Sequence, residues 1–389
     1  MHLPRCSVCD QPLGEPLYTT AAGQKSLTSL CRIYPGETNV FACKKCGHLQ
    51  TSAIDNIVTY YDSEYDILID SEEEDQIYEV RDGVPTYRTE HQVRTLLAKL
   101  QLNRPVDLLD YGCAKSSTIR ELCRVSPTVT PHAFDVSARY IPFWKKFISP
   151  ENYAVNDTKP EWAAKFDIVT SFFSLEHIPT AVGTVRDIAK LLKPRGTFYC
   201  VVPNVLGNIA DFIVVDHCNH FTPPSLQRLL ADAGLELTAI DDHAHRGAFV
   251  VTAKRPDIGA GVESKASRAE VEDTCGELSL LADYWRCAAA KVLARETELQ
   301  DKDTIAVYGA GFYAAFISAN MLSPERIICY LDQNPYLQGK KFNGRCVLAP
   351  CELPLDVNTV FVGLNPAHAA EIVAAIPALA NRQLKYFYL

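Results

Sequence analysis

The chain has 389 residues, of which 47% are hydrophobic and 22% charged, with a net charge of -9. That is enough apolar material for two or three packed domains, and the acidic balance argues against a binder of nucleic-acid backbones. The opening MHLPRCSVCD lacks the apolar core of a secretory leader and no run of 18 apolar residues follows, so a soluble, cytoplasmic protein without membrane insertion is expected.

Residues 1–55 carry two CxxC pairs, Cys6/Cys9 and Cys43/Cys46, separated by 33 residues. Two such pairs supply four thiolates for a tetrahedral Zn2+. With cysteine at all four positions no place is left for water, so the metal is expected to be structural. Cys31 and His48 are substitutes should one knuckle be incomplete. The chain has 14 cysteines. Others among them, Cys113, Cys200 and Cys329, lie in apolar runs, which suits a reducing compartment better than a disulfide framework.

Residues 56–255 begin with an acidic, aromatic stretch (Tyr60, Tyr61, Tyr65, Ser71 to Asp75) and a helix from Thr89 to Leu100. Strand and helix then alternate. Val106–Tyr111 reads as strand one, Ala133–Val136 as strand two and Tyr153–Val155 as a short strand three. Phe166–Phe173 is almost continuously apolar, as a central parallel strand covered on both faces should be. A helix over Val185–Leu192 stops at Lys193-Pro194-Arg195-Gly196, and Thr197–Val202 is strand five. Ser225–Ala233 is a helix with Gly234 as its left-handed cap. Leu235–Ile240 and Ala248–Lys254 read as a closing antiparallel pair. The pattern predicts an α/β fold with a Rossmann-like class I methyltransferase core.

Asp110-Tyr111-Gly112-Cys113 closes strand one and Asp135 closes strand two. A glycine turn admits the methionine end of S-adenosylmethionine (SAM), and an acid at the second strand accepts hydrogen bonds from the ribose hydroxyls. Ala114 and Ser116 stand where a second glycine is common. Asp157, after strand three, is placed to meet the adenine, and Phe172 to wall the cofactor off from water. A turn aspartate and a structural glycine in a domain that binds no cofactor are the bland alternative.

Two histidine-bearing segments follow. Glu176-His177 ends strand four at the same edge, where a histidine can act as base, steer an oxygen, or simply cap and pack. Asp216-His217-Cys218-Asn219-His220 lies after strand five. An aspartate beside a histidine can orient the ring and raise its basicity, so Asp216, His217 and His220 are candidate catalytic residues; a docking loop is the alternative. His243 and His245 read as exposed turn residues.

Residues 256–300 begin with a loose GAGVESKAS stretch. An amphipathic helix from about Glu270 to Leu299 follows, with Val271, Leu278, Leu281, Trp285, Ala289 and Val292 on one face. Residues 301–389 restart a strand–turn–helix pattern at Tyr308-Gly309-Ala310-Gly311, with Asp332 placed 23 residues after Gly309. So short a segment suits a nucleotide-diphosphate or structural role better than bound NAD.

Zinc knuckles, SAM core and Rossmann-like tail, in that order, resemble the three-domain sugar C-methyltransferases, which methylate nucleotide-linked keto-deoxysugars. Tyr87-Arg88-Thr89-Glu90-His91 is similar to that family's entry to the SAM domain, and His177 to its histidine after strand four. Asp216-His217 is similar to its Glu-His pair, and Asp332 to Pro335, Gly339 and Gly344 to its tail motifs. The resemblance implies that His217 removes the proton next to the ketone while His177 holds the enolate oxygen. It also implies a nucleotide-sugar substrate, with SAM and zinc as cofactors; the long helix can pack within the chain or pair with a second copy, so a monomer or homodimer is expected. An O-methyltransferase of a sugar nucleotide or cell-surface glycan precursor and a catalytically dead scaffold are the alternatives.

Overall fold

The computed structural model describes residues 4–20, 24–52, 54, 75–81, 84–257 and 261–389. The acidic, aromatic stretch before Asp75 and part of the loose stretch after residue 257 lie outside the described residues. The chain divides into two compact units. The first comprises Met1–Glu15, Phe41–Asp211 and Asp216–Leu278; the second comprises Pro16–Val40, Phe212–Val215 and Ser279–Leu389. No described helix is long and apolar enough to cross a membrane.

The first unit is built on a seven-stranded sheet. Its strands are β1 (Val106–Tyr111), β2 (Val129–Asp135), β3 (Tyr153–Val155), β4 (Phe166–Phe172), β5 (Leu192–Pro203), β6 (Glu236–His245) and β7 (Ala248–Lys254). Their order is β3-β2-β1-β4-β5-β7-β6; the first five are parallel, and β7 pairs antiparallel with both β5 and β6.

The two-sided burial of the central strands is visible residue by residue. Leu109, Val169 and Cys200 pack on one face, and their neighbours Leu108, Ile168 and Tyr199 on the other. Helices Ala181–Leu191 and Pro223–Asp232 cover the first face through Val185, Ile188, Leu226 and Leu229. Helices Arg88–Lys99 and Ser117–Val125 cover the second through Val93, Leu96, Ile119 and Leu122. The helix expected at Ser225 begins two residues earlier. Thr222 caps it in a capping box with Ser225, and its prolines occupy the first turn, where no backbone N–H is missed. Gly234 takes a left-handed φ of 78° at its end. The stop at Lys193–Gly196 is a bulged entry into β5, with Arg195 at a φ of 63° and a register shift opposite Phe166.

The second unit holds five parallel strands in the order Arg345–Leu348, Ile327–Leu331, Ile305–Tyr308, Thr359–Val362 and Lys385–Tyr388, with Lys341–Phe342 antiparallel at one edge. It is thus a fuller sheet than half of a dinucleotide fold. The long helix spans Arg268–Thr297, and all six residues of its expected apolar face are buried. Trp285 is fully buried against Phe316, with ring centroids 4.9 Å apart.

Close packing in this unit depends on Gly363. A Cβ there would sit 2.7 Å from the Cα of Ala314 in helix Phe312–Asn320. Backbone on both sides cannot yield cheaply. Gly363→Ala is expected to destabilise the protein by about 2–3 kcal/mol, read as a lower urea midpoint.

Candidate active site

The carboxyl ends of β1 and β2 form one corner. Gly112 turns the chain at a φ of 69°, and its N–H donates to the Phe134 carbonyl at 2.9 Å. A Cβ at Gly112 would lie 2.0 Å from Ser174 Oγ, so only glycine fits. Asp135 receives the Ala114 N–H on one carboxylate oxygen at 2.8 Å and the Ser137 N–H on the other at 3.0 Å. Each oxygen keeps a second lone pair for a ribose hydroxyl. Burial raises the pKa of Asp135, against the hydrogen bonds from Ala114 and Ser137, which lower it.

The glycine-poor remainder of the turn keeps a glycine-like path. Ala114 and Ser116 both have positive φ, 45° and 54°. Ser116 holds its position by donating its hydroxyl to Asp110 at 2.7 Å, and Thr170 donates to the other Asp110 oxygen at 3.0 Å. Asp110 is therefore a buried anchor of the loop. Burial pushes its pKa up to about 7 in spite of those two hydroxyls. Phe172 is half-buried at the end of β4. Asp157 is exposed just past β3; the neighbouring Asn156 N–H donates to the Asp135 carbonyl at 3.1 Å.

Beside this corner, after β4, the short turn Leu175–His177 presents Glu176 and His177. The His177 and His217 rings meet edge to face, with centroids 4.7 Å apart. The carboxylate hydrogen-bonded to His217 is that of Asp211, while Asp216 adds to the raised basicity of the ring, as expected, after Asp211. His217 Nδ1 donates to Asp211 Oδ1 at 2.5 Å, and His220 Nδ1 donates to Asp211 Oδ2 at 2.9 Å. Asp216 contributes its backbone carbonyl, 3.3 Å from His177 Nδ1.

His220 is wholly buried, and Thr51 Oγ1 lies 2.7 Å from its second nitrogen. Both of its nitrogens are spent inside the protein, which makes His220 a positioning residue rather than a substrate contact. Burial disfavours a charged His217, but the Asp211 carboxylate outweighs it and raises the pKa to about 9. His177 goes the other way: burial, then its charged neighbour, lowers it to about 4. The Asp211 carboxylate thus makes His217 the more basic of the two rings.

The four knuckle cysteines converge as expected. All four sulfurs lie within 4.8 Å of one another, with Cys6–Cys46 at 3.7 Å and Cys9–Cys43 at 3.5 Å. Zinc with 2.3 Å bonds needs tetrahedral edges of about 3.8 Å, so the set fits that ion. Cys31 and His48 stand outside the cluster. His48 Nε2 instead lies 3.1 Å from Asn219 Oδ1, which also accepts from Ser7 Oγ at 2.7 Å. The amide nitrogen of Asn219 donates to the carbonyls of Leu175 at 3.0 Å and Ile178 at 2.7 Å. Asn219 thus ties the knuckles to the turn that carries Glu176 and His177.

His245 departs from its expected exposure. It is buried edge-on against Tyr78, His91 and Phe173, whereas His243 is exposed. The Arg88 guanidinium lies 4.0 Å over the Phe173 ring.

Asp211 was not among the residues singled out from sequence. Its one signal is a lone acid inside the apolar run Ile209 to Val215. In the second unit the corner recurs. The Gly309 N–H donates to the Leu331 carbonyl at 2.7 Å, and Asp332 receives the Ala310 N–H at 2.9 Å and the Asn334 N–H at 2.8 Å.

Residues 86–240 match the family model described as a methyltransferase domain. The middle of the chain has the Rossmann-like fold of class I methyltransferases. Two curated relatives are ubiquinone biosynthesis O-methyltransferases, from Nitrosospira multiformis and Thiobacillus denitrificans. They are 26% identical over 155 and 150 residues, which is 34% and 33% of this chain. The chain spans 64% of the length of each of those relatives.

Among solved structures, a SAM-dependent methyltransferase from Mesorhizobium loti is 13% identical with a TM-score of 0.36, covering 42% of this chain and 98% of that one. The 1,6-didemethyltoxoflavin N1-methyltransferase of Burkholderia thailandensis, with S-adenosylhomocysteine bound, is 20% identical with a TM-score of 0.34. That match covers 43% of this chain and 78% of that one.

Proposed function

We propose that the chain transfers the methyl group of SAM to a small acceptor whose oxygen faces His177 and His217. The observation that carries this reading is the adjacency of two features at one sheet edge: the Gly112–Asp135 corner and the histidine pair after β4. Asp110, Gly112 and Asp135 shape the cofactor side, with Phe172 and Asp157 at its margins. His177 and His217, set by Asp216 and Asp211, polarise the acceptor oxygen. One of these imidazole or carboxylate groups takes the acceptor's proton, its carbon or oxygen forms the bond to the methyl group as the S–CH3 bond of SAM breaks, and S-adenosylhomocysteine leaves.

The acceptor in this reading is a nucleotide-diphosphate-linked keto-deoxysugar methylated on the carbon beside its ketone. The domain order and the Asp332 corner of the tail, suited to a nucleoside ribose, support that choice. Cys6, Cys9, Cys43 and Cys46 hold a structural zinc. Methylation on oxygen is the second reading, favoured by the names of the curated relatives.

The test is incubation with SAM and nucleotide-linked 4-keto-6-deoxyhexoses in D2O. S-adenosylhomocysteine, a C-methyl product by NMR and deuterium entering beside the ketone are expected. A methyl ether without exchange turns the reading to O-methylation. Transfer to a phenol but to no nucleotide sugar removes the sugar acceptor.

A further inference from the structure

Glu176 is 1% exposed, yet its Oε2 has no hydrogen-bond partner. Leaving a buried carboxylate oxygen unmatched costs several kcal/mol, so such an atom calls for a counter-charge. A ligand oxygen of Glu176 and one ring nitrogen each from His177 and His217 lie within 4.8 Å of one another. Asp211 and Asp216 are also fully enclosed, at 1% and 0% exposure. Three buried carboxylates thus surround two histidines.

The surroundings of the rings have the form of an outer metal shell. The Nδ1 of His217 is held by the Asp211 carboxylate and that of His177 by the Asp216 carbonyl. Metal-ligating histidines are typically oriented in this way, with a carboxylate or carbonyl on the far nitrogen. Asp211 is itself fixed by His220, which is fixed by Thr51.

From this arrangement we infer that Glu176, His177 and His217 form a second metal site, distinct from the four cysteines, which takes a divalent transition-metal ion. Two imidazoles and one carboxylate favour Zn2+, Fe2+, Mn2+ or Co2+ over Mg2+ or Ca2+. Three protein ligands leave open positions, the mark of a catalytic rather than a structural site. The inference rests on the methyltransferase reading in one respect: the open positions receive the acceptor's oxygen, and the ion supplies the polarisation otherwise left to the two rings.

The experiment titrates Co2+ into full-length protein already loaded with one zinc, with SAM binding followed in parallel by calorimetry. One equivalent of Co2+ is expected, with the weak visible bands of nitrogen and oxygen ligation. Glu176→Gln, which keeps the shape, should abolish it, and Asp211→Asn should weaken it roughly 10- to 100-fold. Thiolate-to-cobalt charge-transfer bands would mean exchange at the cysteines and would overturn the second site. No binding of Co2+ while SAM binds normally would overturn it as well and leave Glu176 a protonated buried acid. No SAM binding would sink the methyltransferase reading whatever the metal does. Should the variants fail to fold, Mn2+ in the wild type must show two coupled imidazole nitrogens by pulsed electron resonance; fewer overturns the site.

Discussion

Asp135→Ala is expected to weaken SAM binding by at least about 50-fold. On the proposed reading the carboxylate meets the ribose, and it receives the Ala114 and Ser137 N–H groups. Hydrogen bonds to a charged acceptor contribute about 1.5–3 kcal/mol each, so losing even one with the ribose accounts for much of that factor. Calorimetric titration of wild type and variant, with thermal melts as a folding control, measures it. Asp135→Asn refines the result. Its amide can accept from only one of the two N–H groups and sets a donor against the other, so it too should bind weakly. Unchanged affinity in the alanine variant would take Asp135 out of the cofactor site.

Removing the zinc is expected to abolish turnover while leaving SAM binding within a few-fold of normal. The purified protein should carry zinc at the four cysteines, and Cys43→Ser should lose that ion. The knuckle residues Cys6, Val8, Leu13, Cys43 and Cys46 pack into the same core as Phe221, Leu226 and Leu229. Loss of the ion should therefore cost several kcal/mol and lower the melting temperature by roughly 10 °C or more.

The separation of the two readouts follows from Asn219. Its partners on one side are Ser7 and His48, beside the knuckles, and on the other the carbonyls flanking Glu176 and His177. Loosening the knuckles loosens that turn, whereas the Gly112–Asp135 corner has its own hydrogen bonds. If SAM binding and turnover fell together and equally, the Asn219 link would not be the cause.

The apolar run read as Phe166–Phe173 forms a strand that ends one residue earlier, at Phe172. Val106–Tyr111 and Tyr153–Val155 form as read. The second strand begins at Val129, four residues before its expected start, because Pro131 reads as a breaker. It is tolerated there because β3 pairs only with Ala133 to Asp135, which leaves Pro131 one open flank for its missing N–H. The cysteine set was legible because metal chemistry fixes ligand spacing. The assignment of Pro16–Val40, the loop between the knuckles, to the other compact unit was not, since nothing in its own pattern names the residues it packs on. At the histidines, sequence proximity pointed to Asp216, and three-dimensional proximity selects Asp211. A side chain adjacent in sequence to a histidine need not share its side of the backbone, whereas a turn such as Ile209–Ile213 can bring an earlier one round.

The corner at Asp332 bears on how ligand binding by this protein is counted. Gly112 to Asp135 and Gly309 to Asp332 are both 23 residues apart, and both acids accept one N–H from the glycine turn and one from two residues beyond themselves. A nucleoside ligand meets two ribose-sized acceptors in a single polypeptide. A titration stoichiometry above one then need not signal a dimer or a miscounted protein concentration, and Asp332→Ala separates the second occupancy from the first.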